Sequence, residues 1–173
     1  IKNSIYKTYL ACDAVSEEIL LSHHYRCNEK IIAFNNQKYY NNKLVINSQS
    51  QADTPLIFKN IAGNTTNYKN TAPREAEEII EFIKDNPDKS IGVITPFTNQ
   101  KELIHAMLQE NGMKDVPCGT VHAFQGDEKD VVLFSLALTE QTGQGTYDWL
   151  KNNKELINVA TSRAKEQLVI PFL

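Results

Sequence analysis

The stretch from Asp130 to Leu138, DVVLFSLAL, is the most informative part of this 173-residue sequence for the fold. It is almost continuously apolar after Asp130, which is also the last residue of the charged run Asp127–Asp130. A segment of this length is too short to be a convincing buried helix, whereas strands covered on both faces have this composition. The stretch therefore predicts a central strand of a parallel sheet.

Short apolar segments alternate with helical patterns on both sides of this strand. Helices are predicted at Glu29–Tyr40, Pro73–Asp85, Asn99–Asn111 and Glu155–Lys165, and strands at Leu56–Phe58, Ile91–Thr95 and Gln167–Ile170, with a shorter candidate at Glu18–Leu21. This order predicts an α/β fold of three layers, a parallel sheet with helices on both faces. Ligands of such sheets gather at the carboxyl ends of the strands, so we expect the loops after Ile94, before Gln125 and around Arg163 to be functional.

Composition and length favour one soluble domain over residues 1–173. No apolar run is long enough to span a bilayer. The chain opens at Ile1 without an initiator Met or a signal-peptide core, so we expect a domain cut from a larger cytoplasmic protein. Cys12, Cys27 and Cys118 are widely spaced and form no metal-ligand pattern, which predicts reduced thiols and no metal site.

The net charge of −3 argues against a dedicated nucleic-acid-binding domain, because such domains are usually basic. It does not exclude a motor domain, whose contacts with a strand can be few and local.

Four polar segments carry the candidate chemistry. They are His24-Tyr25-Arg26, Ile94-Thr95-Pro96-Phe97 leading to Asn99 and Gln100, the run GTVHAFQGDEKD at 119–130, and NVATSRAK at 158–165. An arginine fork suits phosphate oxygens, a helix N-terminus can hold a phosphate, and an aromatic ring can stack on a base. Taken alone, Arg26 is better explained as a surface charge, Thr95 as a cap and Phe97 as a core residue.

In this order, the four segments resemble the C-terminal motor domain of superfamily 1 helicases, in the branch with a Phe-Gln-Gly-x-Glu core in motif V. The similarity extends from about Leu21 to Ile170. It implies a RecA-like fold of the P-loop NTPase type and ATP hydrolysis by the full-length protein. The sequence contains no G-x-x-x-x-G-K-[ST] string, so the phosphate loop and the Mg²⁺ ligands are expected in an N-terminal domain. The isolated chain is then expected to be inactive.

The resemblance also implies a role for each matching residue. Arg26 and Arg163 would be the catalytic arginines that reach the γ-phosphate of ATP. Further ATP contacts would come from Tyr25, Gly126 and Glu128, the last at the ribose. Single-stranded DNA or RNA would be contacted by Thr95, Pro96, Phe97, Thr120 and His122. Finally, Gln125 and Asp130 would couple the two sides or hold motif V in shape.

Three positions depart from the family pattern. Ser162 stands where Thr is common, His24 where Gln is frequent, and Pro171 where a Gly-rich turn is usual. Two other functions are compatible with less of the sequence. A non-catalytic nucleic-acid-binding or scaffold protein could keep a degenerate helicase fold, but the presence of Arg26, Glu128 and Arg163 argues against that decay. An unrelated doubly wound nucleotide-binding transferase would need a Gly-rich loop after an early strand, which is not found.

Overall fold

The computed structural model describes residues 22–48, 50, 52–61, 70–124 and 128–172, with only the backbone of His122. The candidate strand at Glu18–Leu21 and the site predictions for Gln125 and Gly126 lie outside the described residues. The strands are β1 His23–His24, β2 Val45–Ile46, β3 Leu56–Asn60, β4 Ile91–Thr95, β5 Cys118–Thr120, β6 Lys129–Phe134 and β7 Ala164–Phe172. The helices are α1 Glu29–Tyr39, α2 Pro73–Asp85, α3 Thr98–Glu110, α4 Gln144–Asn152 and α5 Lys154–Thr161, with a 3₁₀ turn at Val121–Phe124.

The main sheet has the strand order β3-β7-β6-β4-β5, and every described pair in it is parallel. Alternate residues along each strand face opposite sides. Val93, Leu133 and Val169 pack against α2 and α3, whereas Ile94, Phe134 and Leu168 pack against α1 and α5. The predicted three-layer α/β fold is confirmed. The strands β1 and β2 form a separate parallel pair.

Local signals explain where several helices begin. The side chain of Asn28 accepts a hydrogen bond from the backbone N–H of Lys30, so it caps α1 as predicted. Pro73 occupies the first turn of α2, where its missing N–H has no helical partner to lose. The observed bounds of α2 and β4 are those predicted from the sequence.

The last strand begins at Ala164, earlier than the predicted Gln167, and two predicted element ends lie too far along the chain. The helix predicted to continue to Lys165 ends at Thr161, because Ala164 already pairs with Lys129 as the first residue of β7. The strand predicted to reach Leu138 ends at Phe134. Beyond it, Ala137 adopts a left-handed backbone with φ of 49° and donates its N–H to the carboxylate of Glu75, so the chain leaves the sheet.

The expected position of the functional loops is also wrong for Arg163. Thr95 and Thr120 are register partners at the carboxyl ends of β4 and β5. In contrast, Glu128 directly precedes β6 and Arg163 directly precedes β7, so both lie at the amino ends of the parallel strands. The site residues predicted from the sequence therefore form two groups at opposite ends of the sheet. We call Arg26, Glu128 and Arg163 the amino-end cluster. Thr95, Pro96, Phe97 and Thr120 are the carboxyl-end group.

Candidate nucleotide and nucleic-acid sites

The amino-end cluster is built around an ion pair between Arg26 and Glu128. Nε of Arg26 lies 2.5 Å from Oε1 of Glu128, and the two side chains are 44% and 24% exposed. Arg26 is placed by the turn between β1 and α1. Within this turn, the backbone N–H of Cys27 donates to Nε2 of His24 at 3.0 Å. The turn therefore directs the guanidinium towards the segment that precedes β6.

Cys27 connects this turn to the turn that carries Arg163. Its buried thiol donates to the carbonyl oxygen of Ser162 at 3.3 Å. Burial raises the pKa of Cys27 to about 12, while the nearby charges of Arg26 and Arg163 act to lower it and that of Glu128 acts to raise it. Cys27 thus joins the turn that carries Arg26 to the turn that carries Arg163, and the charges of both arginines and of Glu128 are near enough to affect its pKa.

His24 occupies the position where the family often has Gln. Its pKa is lowered, first by burial and then by the positive charge of Arg26, with Glu128 opposing the shift. A neutral ring keeps Nε2 available as the acceptor for the N–H of Cys27. His24 therefore orders the turn that carries Arg26.

Arg163 is held by its own turn. Nε donates to the carbonyl oxygen of Val159 at 3.3 Å, and Nη2 donates to the hydroxyl of Ser162 at 3.4 Å. The carbonyl oxygen of Arg163 accepts from the N–H of Lys129 at 3.1 Å, which fixes this turn against the start of β6. The hydroxyl of Ser162, which stands where the family commonly has Thr, therefore contacts the guanidinium group of Arg163.

Tyr25 lies beside this cluster in sequence but faces solvent. Its side chain is 65% exposed, and its ring stacks on that of His23 with centroids 6.0 Å apart. Among the described residues, no group of three or more His, Cys, Asp or Glu side chains is placed to hold a metal ion.

The carboxyl-end group divides into buried and accessible side chains. Thr95 is fully buried, and its hydroxyl accepts from the N–H of Phe97 at 3.3 Å. Phe97 is 8% exposed and packs on Trp149, with ring centroids 5.6 Å apart. Pro96 and Thr120 are half-buried. Thr95 and Phe97 therefore shape this end of the sheet, and Pro96 and Thr120 reach its surface.

A groove of about 820 Å³ opens at this end, between the turn after β4 and the segment that connects β6 to α4. Pro96, Phe97 and Trp149 are among the residues that line it. This carboxyl-end groove contains two of the residues predicted to bind nucleic acid.

The described residues on either side of 125–127 lie at opposite ends of the sheet. Thr120 ends β5, and β6 begins at Lys129 at the opposite end. Phe124 lies on the sheet between them, so close that a Cβ added at Gly92 would come within 2.9 Å of its ring and one at Gly119 within 3.1 Å. The absence of side chains at Gly92 and Gly119 therefore leaves the space that the ring of Phe124 occupies.

Asp130 lies at the amino end of β6. Its Oδ2 accepts from the backbone N–H of Ser90, which precedes β4, at 3.3 Å. This contact fixes the start of one strand to the start of its neighbour.

Sequence patterns missed a buried polar network beneath the groove. Oε2 of Glu75 accepts from the hydroxyl of Ser135 at 2.7 Å and from the N–H of Ala137 at 3.0 Å. The amide of Gln100 bonds both backbone groups of Ala72 and the hydroxyl of Ser135. The sequence pattern gives Gln100 only a place in a candidate phosphate site and gives Glu75 no buried role. A carboxylate in line with the apolar positions of α2 was the available signal.

Comparisons with known proteins place the chain in a family. The family described as "AAA domain" matches residues 1–171. The chain belongs to this family. It is 29% identical, over 87% of its length, to an uncharacterized ATP-dependent helicase of Methanocaldococcus jannaschii. It is 31% identical, over 84% of its length, to the DNA polymerase alpha-associated DNA helicase A of Saccharomyces cerevisiae.

A solved structure supports the fold. The C-terminal domain of a possible DNA helicase from Lactobacillus plantarum aligns with a TM-score of 0.54 at 14% identity, covering 86% of this chain and 87% of that one. The chain is a C-terminal RecA-like domain of the superfamily 1 helicase type, as the sequence resemblance predicted. It spans 26% of the length of each of the two relatives named above. In the part of the chain that the structure describes, no helix is long and apolar enough to cross a membrane.

Proposed function

We propose that this chain is the second motor domain of an ATP-dependent superfamily 1 helicase. In this proposal, the amino-end cluster completes an ATP site, and the carboxyl-end groove grips single-stranded DNA or RNA. The observation that carries it is the convergence of Arg26, Glu128 and Arg163 on one side of the sheet, around the thiol of Cys27. Three separate sequence segments supply these charges, which a surface ion pair alone would not require.

The side chains of the cluster suit a nucleoside triphosphate. Guanidinium groups bind phosphate oxygens through charge-assisted hydrogen bonds, and a carboxylate accepts hydrogen bonds from ribose hydroxyls. Arg26 is 44% exposed and Glu128 is 24% exposed, so both reach the surface where an N-terminal domain would close. ATP with Mg²⁺ supplies the transferable phosphoryl group, and the phosphate loop and the Mg²⁺ ligands would belong to that other domain.

Arg26 and Arg163 stabilise the negative charge that develops on the γ-phosphate during its transfer to water. They do so only when the cleft between the domains is closed. After hydrolysis the two arginines lose this contact, so the closed state loses the stabilisation that distinguished it from the open state. Tyr25 and the backbone of Gly126 border the same site in this proposal.

The segment from Thr120 to Asp130 connects this cycle to the strand. Thr120 and His122 belong to its strand-binding part, and Glu128 belongs to its nucleotide part, with Gln125 between them. Phe124 packs tightly over Gly92 and Gly119, between these two parts of the sequence. Alternate gripping by two domains would then move the motor along a single strand. A cytoplasmic location is part of the proposal, supported by the free thiols of Cys27 and Cys118.

Steady-state ATP hydrolysis by the full-length protein, with and without single-stranded nucleic acid, tests the proposal. We expect Arg163→Ala to lower kcat by about 1,000-fold, because an arginine at the transferring phosphoryl group contributes on that order. Lys84→Ala is the matched control. It removes one positive charge from the exposed side of α2, on the opposite face of the sheet, and should keep the rate. Turnover by Arg163→Ala close to that of the wild type would contradict the proposal.

A further inference from the structure

The residues that line the carboxyl-end groove, in the part of the chain that the structure describes, are uncharged. Thirteen described residues line the groove, and none of them is Lys, Arg, His, Asp or Glu. Its polar groups are instead the amides and hydroxyls of residues such as Asn99, Gln141, Thr142 and Thr146. Side-chain amides match the donor and acceptor pattern of base edges, and a lining without Lys or Arg lacks the positive charges that attract phosphates most strongly. The lining is therefore better suited to a nucleobase than to a phosphate.

Trp149 gives this groove an aromatic face. Its side chain is 40% exposed, and its ring leans on the buried ring of Phe97. The next residue, Leu150, is buried in a small cluster with Ala72, Phe97 and Ala137, which anchors α4 to the end of the sheet. The indole is thus held in place before any ligand binds, and an ordered aromatic face stacks on a base at little entropic cost.

The connection between β6 and α4, which lines the other side of the groove, is also held in place by hydrogen bonds to buried side chains. Ser135 and Ala137 both donate to the buried carboxylate of Glu75, and Ser135 accepts from the amide of Gln100. Ala137 is kept in a left-handed backbone conformation that L-residues rarely adopt. Strain of this kind persists only where surrounding contacts enforce it. The groove is therefore a preorganised surface.

We propose that the carboxyl-end groove is a nucleobase subsite, in which an unstacked base of the single strand stacks on Trp149 and hydrogen-bonds to the amides and hydroxyls of the groove lining. This inference rests on the proposed function and deepens it. It moves the strand contact from the buried side chains of Thr95 and Phe97 to the connection between β6 and α4. It also assigns to this domain a contact that depends on bases, with phosphate contacts made elsewhere.

The test measures binding of the full-length protein to a short labelled single strand by fluorescence anisotropy, as DNA and as RNA. A second strand of equal length has abasic sites in place of its central nucleotides, so it keeps the phosphates and loses the bases. We expect Trp149→Ala to weaken binding of the intact strand by about ten-fold, in the range known for loss of one stacked base. On the abasic strand, wild type and Trp149→Ala should bind equally.

Three further variants keep the test decisive. Tyr147→Ala removes an equally exposed aromatic ring from the same helix, outside the groove lining, and should bind as the wild type does. Trp149→Phe should keep most of the affinity, which shows that the fold is intact. Gln141→Ala should weaken binding of the intact strand only.

Several results would overturn the inference. Equal loss on intact and abasic strands, or a change in the dependence of affinity on salt, would mean that the groove binds phosphate. Unchanged affinity in both Trp149→Ala and Gln141→Ala would mean that no base enters it. Absence of single-strand binding by the wild type would overturn the proposed function as well. The base subsite alone fails if the wild type binds normally and none of the groove variants has an effect.

Discussion

Glu75 carries a carboxyl group into the interior of the protein, and its neighbours explain how this is tolerated. A buried carboxyl group is costly unless its oxygens accept hydrogen bonds. Here Oε2 accepts from Ser135 and Ala137, both in the connection that leads from β6 to the groove. The same connection bonds to Gln100 on α3. Glu75 is therefore a structural residue of the groove wall.

Replacing Glu75 by Ala should lower the free energy of unfolding by about 3 kcal/mol, because two buried donors would lose their acceptor. Urea denaturation of the 173-residue chain, followed by circular dichroism, measures this change. Glu81→Ala on the exposed face of the same helix is the control, with an expected effect within about 0.5 kcal/mol. Equal stability of the two variants would show that the network contributes little.

Single residues also show the limit of sequence-based prediction of the site. Arg26, Glu128 and Arg163 could be selected because each stands in a motif string, and the structure brings them together. The salt bridge between Arg26 and Glu128 could not be predicted, because it depends on how the turn before α1 meets the start of β6. Trp149 gave no signal, since a lone Trp on a helix is usually a packing residue.

At the scale of the elements, the longer strands and helices were predictable, whereas the connections and the short strands β1, β2 and β5 were not. β4 and α2 have unambiguous apolar patterns, and their observed bounds match the predicted ones. The helix before β7 was predicted four residues too long, because Ser162 and Arg163 look compatible with a helix until Ala164 pairs with β6. α4 was missed. Its sequence, QGTYDWLKN, includes Gly and Thr, which are poor helix formers.

Packing between elements predicts the effect of a side chain at Gly92. A Cβ at this position would come within 2.9 Å of Phe124 and of Lys129, and Phe124 is almost fully buried. Gly92→Ala should therefore destabilise the chain by roughly 1–3 kcal/mol, the usual cost of overpacking a core. Urea denaturation midpoints give the comparison.

Gly145→Ala is the matched control for this experiment. A Cβ added at Gly145 meets nothing within 4 Å, and the residue lies in α4. Because Ala favours helix more than Gly does, this variant should be as stable as the wild type or slightly more stable. A Gly92→Ala chain that is equally stable would show that Phe124 does not fill this space.

For the whole molecule, the fold follows from alternating apolar strands and helices, but the orientation of the site does not. The general rule that ligands gather at the carboxyl ends of parallel strands places Arg163 at the wrong end. The structure separates a charged cluster at the amino ends from an uncharged groove at the carboxyl ends. Thr120 lies at the carboxyl end and Asp130 at the amino end. The rule holds for a domain that binds its ligand alone, whereas this cluster suits a site shared with a second domain.

The measurement that tests the central claim most directly is ATP-dependent strand displacement by the full-length protein, on forked DNA and RNA duplexes with single-stranded tails of either polarity. The account predicts displacement by the wild type on forks of one polarity, with 5′-to-3′ movement implied by the family branch. It also predicts loss of displacement in Arg163→Ala, while single-strand binding is kept. Displacement retained by Arg163→Ala, or no displacement of any fork by the wild type, would contradict the account.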